Sequence, residues 1–177
     1  MDGRSDRALV RAARRADREA AGELFRRYWP AAWRAAYGVT GRRAMADDVA
    51  ADAFERAFAA LQRFDERRPF GPWLHRIVVN RALDLLRSER RLVGGEQPFE
   101  PVDLDRFDAG GDRELLEAVA SLPLQRRVVV ILRYGVGMSP DEIARVLDLP
   151  KGTVHSRLAR ALAQLRDDFE VRGVRRA

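Results

Sequence analysis

The chain has 177 residues, 33 basic against 27 acidic side chains, a formal net charge of +6 and no cysteine. That length suits one domain or two small ones, and the missing cysteines exclude a disulfide framework, a thiolate nucleophile and a cysteine zinc site. His75 and His155 are the only histidines, a poor basis for a metal site or a triad, and no apolar run approaches the about 20 residues of a membrane span, so the expectation is a soluble, cytoplasmic, non-enzymatic protein with no cofactor and no metal.

The charge is unevenly placed. Residues 1–93 hold 20 basic and 13 acidic side chains (+7), residues 94–114 hold 2 and 7 (−5), and residues 115–177 hold 11 and 7 (+4). Only Lys151 among the basic residues is lysine. Arginine forks well onto phosphate and guanine, although GC-rich coding produces the same bias. Two basic blocks around an acidic segment, at a pI near 10.7, match a chain that binds a polyanion.

Residues 1–17 read as a tail or the start of a helix. The spacing predicts a helix over 18–37, with Phe25, Trp29, Trp33 and Tyr37 four apart and Leu24, Tyr28, Ala32 and Ala36 beside them, a wide apolar face. A second helix is predicted over 44–61, burying Met45, Val49, Ala53, Ala57 and Leu61 with Phe54 and Phe58 at its border. Its far side carries Asp48, Asp52 and Glu55, at i, i+4 and i+7. The segment from Arg63 to Gly71 leads to a third helix that starts near Pro72, a favourable first-turn residue, and continues to about Arg90. Trp73, Leu74, Ile77, Val78, Arg81 and Leu85 lie along one side of it. Gly94, Gly95, Pro98, Pro101, Gly110 and Gly111 interrupt the acidic segment, which reads as a flexible linker over 91–111.

In the second block Leu115, Leu116, Val119 and Leu122 precede Pro123, and a helix is predicted over 124–134. Ser139-Pro140-Asp141-Glu142 then combines an N-cap serine, a first-turn proline and a glutamate at the third position, a strong helix start. Ile143, Ala144, Val146 and Leu147 follow, Asp148-Leu149-Pro150 breaks the chain, and a last helix over 151–169 turns Val154, Leu158, Ala161 and Leu165 inward. A short capped helix, a tight turn and a longer basic helix form the layout of a helix-turn-helix. The expected fold is all-α, with two small helical domains over 18–90 and 112–177.

Several surfaces carry candidate chemistry. Opposite the core stripe of the last helix lie Gly152, Ser156, Ala159 and Ala163, flanked by His155 on one edge and Thr153, Arg157 and Arg160 on the other. A crest of small residues lets a helix sink into the major groove while flanking donors reach bases and phosphates; an alanine-rich solvent face is the bland alternative. Arg76, Asn80, Asp84 and Arg87 share one side of the third helix, either as base and phosphate donors or as a solvated face on which Asp84 pairs with Arg81 or Arg87. Phe64, Phe70 and Trp73 either close a helix junction as core or wall a pocket for an unstacked base, with Arg63, Arg67 and Arg68 as nearby donors. The stripe of Asp48, Asp52 and Glu55 is a solvated face or a surface for a basic protein partner.

The run from Asp47 to Phe58, then Arg63-Phe64, then Pro69 to Asn80, with Asp84 and Arg87, resembles the sigma-2 domain of the sigma-70 family. Leu122-Pro123, Gln125-Arg126, Glu142-Ile143-Ala144, Gly152 to Leu158 and Arg160-Ala161 resemble its sigma-4 domain. With these two domains and a short linker, the chain resembles an extracytoplasmic-function (ECF) sigma factor. The resemblance implies binding to core RNA polymerase and promoter-specific initiation. It places Asp48, Ala51, Asp52, Phe54 and Phe58 against the beta-prime clamp helices. It assigns Arg63, Phe64, Arg67, Arg68, Phe70, Arg76, Asn80 and Arg87 to the minus-10 element of promoter DNA. Lys151, Thr153, His155, Ser156, Arg157 and Arg160 go to the minus-35 element, with Lys151 and Arg157 on phosphates. It further implies docking of the sigma-4 domain on the beta flap, a linker threading toward the active-site channel, and room for an anti-sigma factor.

The sequence departs from the family pattern at three places: Asp148 stands where the turn often has glycine, His155 replaces a frequent basic residue, and Ala51 replaces a frequent polar one. Aspartate tolerates a left-handed turn better than most residues, so a normal turn is expected at slight cost. The alternative function is a free-standing helix-turn-helix regulator whose first block is a sensor or dimerisation domain.

Overall fold

A serine caps the first helix. The Ser5 hydroxyl accepts from the Ala8 N–H at 3.3 Å, and α1 (Asp6–Arg14) buries Leu9 and Val10 completely. In this computed structural model, which describes residues 4–93 and 113–174, residues 6–14 of the segment read as a tail or helix start thus form a packed helix. The chain reverses through Ala16 at φ 65°, a left-handed conformation costing an L-residue about 1 kcal/mol. Asp17 then caps α2 (Arg18–Thr40), accepting from the Ala20 N–H at 3.1 Å.

α2 outlasts its predicted end at Tyr37 by three residues and stops where Gly41, at φ 71°, turns its N–H back to the Tyr37 carbonyl at 2.7 Å. α3 (Arg43–Ala60) tightens into a 3₁₀ turn over Leu61–Arg63, and α4 (Phe70–Val93) follows the irregular segment 64–69. Alanines at 32, 35, 36, 46, 50, 53, 57 and 82 are fully buried, which lets α2, α3 and α4 approach closely around Trp33, Leu74 and Val78. Of the linker expected over 91–111, residues 91–93 belong to α4 and the rest lie outside the described residues.

The second group contains α5 (Arg113–Ser121), α6 (Leu124–Val130), α7 (Pro140–Leu147) and α8 (Lys151–Val174). The single helix expected over 124–134 is divided, because Ile131–Gly135 adopts a π-helical turn. Ser139 and Glu142 form the capping box read from the sequence: the Glu142 N–H reaches the serine hydroxyl at 3.3 Å and the carboxylate accepts from the Ser139 N–H at 2.8 Å. Such a box is worth about 1 kcal/mol. Asp148 takes the expected left-handed turn, φ 53° and ψ 52°.

The two groups pack together, α2 against α6 and the π-helical turn, and α4 against α7. At the centre of this contact the Ile131 side chain fills the space a Cβ on Gly38 would occupy, 2.2 Å from Ile131 Cδ1. No helix among the described residues is long and apolar enough to cross a membrane.

Candidate nucleic-acid and partner interfaces

The irregular segment 64–69 is seated on aromatic rings. Phe64 packs on Trp73 at 4.6 Å and edge-on to Phe70 at 5.9 Å, and Phe70 meets Tyr28 at 5.2 Å. Phe64 and Phe70 are buried and Trp73 half-buried, so these rings do close the helix junction. Phe64 and Phe70 also line a cavity of about 460 Å³, whose other walls come from Glu66, Arg67, Arg68 and Pro69 and from Ser5, Asp6, Arg7 and Val10. Core and pocket wall, posed as alternatives by the sequence, are combined. Arg63, Arg67 and Arg68 point to solvent. The Asp65 carboxylate accepts from the Arg67 N–H at 3.0 Å and lies 3.9 Å from the Arg68 guanidinium.

Sequence reading missed the other half of this site. Arg11 Nε donates to Glu66 Oε2 at 2.6 Å, Arg14 pairs with Oε1, and Arg7 stands 4.0 Å from the same carboxylate. The hydrogen bond from Arg11 and the surrounding guanidinium charges outweigh partial burial and hold the Glu66 carboxyl below its ordinary pKa. The signal was present as arginines at i, i+4 and i+7 of α1, yet nothing local to them points to a glutamate some fifty residues on.

Arg76, Asn80, Asp84 and Arg87 form an exposed stripe along α4. Asp84 pairs with Arg87 at 2.9 Å, whereas Arg81 turns to Asp52 on α3. Among the described residues Arg76 has no carboxylate partner, so its charge is available to a phosphate. Beneath the stripe His75 is 4% exposed, and burial pushes its pKa down to about 4, leaving the ring neutral near pH 7.

The acidic stripe on α3 splits. Asp48, Ala51 and Glu55 are exposed. Asp52 is half-buried; burial would raise its pKa, but Arg56 at 3.0 Å and Arg81 hold it below the carboxylate range. Phe54, expected at the border of the helix and on the partner surface, is 2% exposed, because Phe25 covers it at 4.8 Å and Phe58 lies at 5.9 Å. The accessible ring is Phe25, 36% exposed and stacked on Trp29 at 4.9 Å. The four-residue spacing in α2 predicts a wide apolar face, and Phe25 lies at its exposed edge while Ala20 and Leu24 in the same stretch are fully buried.

On α8, Val154, Leu158, Ala161 and Leu165 are buried and Gly152, His155, Ser156, Ala159, Arg160 and Ala163 are exposed, the two faces expected. Lys151 Nζ donates to Asp141 on α7 at 2.8 Å, which lowers the pKa of that carboxyl. The Ser156 hydroxyl donates to the Thr153 carbonyl at 3.0 Å. Thr153, Ser156, Arg157 and Arg160 line a cleft of about 700 Å³ with Pro123 to Arg126, and its opposite wall is Leu83, Leu86 and Arg87 of α4. A recognition helix enters a major groove about 12 Å wide, and α4 across the cleft partly covers this side of α8, although Ser156 and Arg160 remain exposed.

Comparisons with known proteins agree with this division. Residues 24–92 match sigma-70 region 2 and residues 112–165 match sigma-70, region 4. The chain is 34% identical over 171 residues to the RNA polymerase sigma factor NccH of Alcaligenes xylosoxydans xylosoxydans, covering 90% of this chain and 92% of that one. It is 33% identical over 157 residues to the ECF RNA polymerase sigma factor SigE of Mycolicibacterium smegmatis, covering 82% and 60%. Among solved structures, CnrH in complex with the cytosolic domain of CnrY superimposes with a TM-score of 0.69 at 31% identity, covering 94% of this chain and 97% of that one.

Proposed function

The chain belongs to the sigma-70 family, as an ECF RNA polymerase sigma factor, and from that premise we propose which of its surfaces do the family's work. It directs promoter-specific initiation by core RNA polymerase and is not itself an enzyme. The free-standing regulator is not favoured. The segment 63–70 and the α4 stripe of Arg76, Asn80 and Arg87 receive the minus-10 element. An unstacked base enters the cavity beside Phe64 and Phe70, and Arg63, Arg67, Arg68 and Arg76 neutralise phosphates. The observation that carries this reading is the cavity itself, with Phe64 and Phe70 on one wall and the exposed Arg7, Arg67 and Arg68 around it beside Asp6 and Glu66.

α8 reads the minus-35 element through His155, Ser156 and Arg160 on base edges, with Thr153 beside them and Lys151 and Arg157 on phosphates. Asp48, Ala51 and Phe58 meet the beta-prime clamp helices, Phe25 extends that surface, and Phe54 and Asp52 support it from within. The second group of helices docks on the beta flap. CnrH was solved with the cytosolic domain of CnrY bound, and by that likeness this chain takes an anti-sigma partner. The place of work is the cytoplasm, where polymerase meets DNA.

The test is run-off transcription of genomic DNA with purified core polymerase, followed by sequencing of transcript 5′ ends. Addition of the protein should produce new starts sharing one upstream sequence at two fixed distances. Tight sequence-specific footprints by the protein alone, without new starts, would return the reading to a free-standing regulator.

A further inference from the structure

Segment 64–69 has no helical ladder of its own, yet it and the 3₁₀ turn before it are fastened to one helix, the segment through the Phe64 carbonyl and the Glu66 side chain. Arg7, Arg11 and Arg14 lie at i, i+4 and i+7, on a single face of α1. Besides pairing with Glu66, Arg14 donates to the carbonyl of Phe64 and, at 2.9 Å, to that of Leu61. Gln62 returns a hydrogen bond from its amide to the Arg14 carbonyl at 2.7 Å. The Arg14 and Glu66 side chains are only 19% and 20% exposed, so water and salt screen their pairing far less than a surface ion pair. α1 is itself anchored: Leu9 and Val10 are in the core, and Asp6 accepts from Arg27 at 2.6 Å and from the Tyr28 hydroxyl. The same helix supplies Ser5, Asp6, Arg7 and Val10 as one wall of the cavity.

We propose that α1 is a positioning element of the minus-10 site, in which Arg14 and Arg11 hold Glu66, and with it the segment from Phe64 to Pro69, in the conformation that receives the unstacked base. The proposal rests on the minus-10 reading above and adds to it residues that lie behind the segment. A loop ordered before DNA arrives does not lose its conformational freedom during promoter opening, so more of the contact energy remains for unstacking the base.

The charge change makes the test directional. Glu66→Gln raises the local net charge by one, so electrostatics alone predicts stronger association with DNA; loss of positioning predicts slower opening. The measurement uses holoenzyme assembled from full-length protein and core polymerase, on a promoter recovered in the run-off experiment and carrying 2-aminopurine in its minus-10 element. Glu66→Gln should open that promoter about tenfold more slowly, the scale of effect expected when a binding group is displaced, with unchanged core affinity and a melting temperature that falls but stays above that of the assay. Adding Arg14→Ala to Glu66→Gln should slow opening further, because Arg14 also holds the carbonyls of Phe64 and Leu61. Opening at the wild-type rate or faster by Glu66→Gln would overturn the proposal. Should Glu66→Gln fold poorly, Arg11→Gln, at a side chain 55% exposed, is expected to slow opening about threefold, and a wild-type rate there is equally fatal. Asn80→Ala, on α4 and outside the clamp, separates the two levels. If it slows opening while Glu66→Gln does not, the minus-10 reading stands and the clamp falls; if neither it nor Arg67→Ala slows opening, the reading falls and takes the clamp with it.

Discussion

Whereas α8 orders its candidate DNA readers through its own backbone ladder, with Val154, Leu158, Ala161 and Leu165 seating the inner face, segment 64–69 takes its order from outside. Its Phe64 ring sits on Trp73 and the carbonyl of the same residue accepts from Arg14. A helix carries rigidity within one stretch of sequence; this irregular segment borrows it from other elements, Trp73 of α4 and, fifty residues back, Arg14 of α1. The two readers are therefore vulnerable to different perturbations. One side of the helix can be covered, by α4 across the cleft, without the helix losing its shape, while the loop can lose its shape without being covered.

The largest expected effect falls on the scaffold beneath the loop. His75 is neutral when folded, with its pKa pushed down by burial to about 4 from an ordinary 6.5. Between those values the unfolded chain takes up a proton that the folded chain refuses, so stability present above pH 6.5 drains away as pH falls toward 4, by about 3 kcal/mol in all. Chemical denaturation across this range should show that slope, and His75→Leu should flatten it. An unchanged slope in the variant would mean that another group is responsible.

Next comes the contact that keeps the helix partly covered. Gly38→Leu puts side-chain atoms where Ile131 sits, an overpacking worth about 1–3 kcal/mol. Label-to-label distances between α2 and α8 should lengthen, and the free protein should bind minus-35 duplex more tightly; tighter packing or weaker binding would contradict the partial cover described above. A single reader is expected to matter less: Arg160→Ala should cost about 1.5 kcal/mol and relax preference at one minus-35 position. Uniform weakening on every sequence would place Arg160 on phosphate. The smallest effect is a gain. Asp148→Gly relieves a left-handed residue at φ 53° and should raise the melting temperature by an amount worth about 0.5 kcal/mol, leaving promoter choice untouched.

What could be read along the chain was whatever neighbouring residues settle among themselves. The Ser139–Glu142 capping box, the left-handed Asp148 and the two faces of α8 all follow from side chains within four positions of each other, and each stands in the structure as expected. Boundaries were less legible. α2 runs on to Thr40 because Gly41 ends it, and the helix after Leu124 breaks into a π-helical turn at Ile131, the residue that must fit over Gly38. Partner choice was not legible at all: Arg81 and Arg87 are equally plausible mates for Asp84 by spacing, and only the approach of α3 draws Arg81 away to Asp52.

The sequence by itself thus determined an all-α chain with a helix-turn-helix at one end, an acidic stripe on α3 and a basic, aromatic segment before α4, since helical periodicity, caps and turn residues act over one or two turns of chain. Only the tertiary structure decided that Phe54 is covered and Phe25 exposed, that four of the residues proposed for the minus-35 element face α4, and that α1 grips the segment at Glu66. Those outcomes depend on which surfaces meet through space, and a charge or a ring carries no mark in the sequence of the distant group that will pair with it.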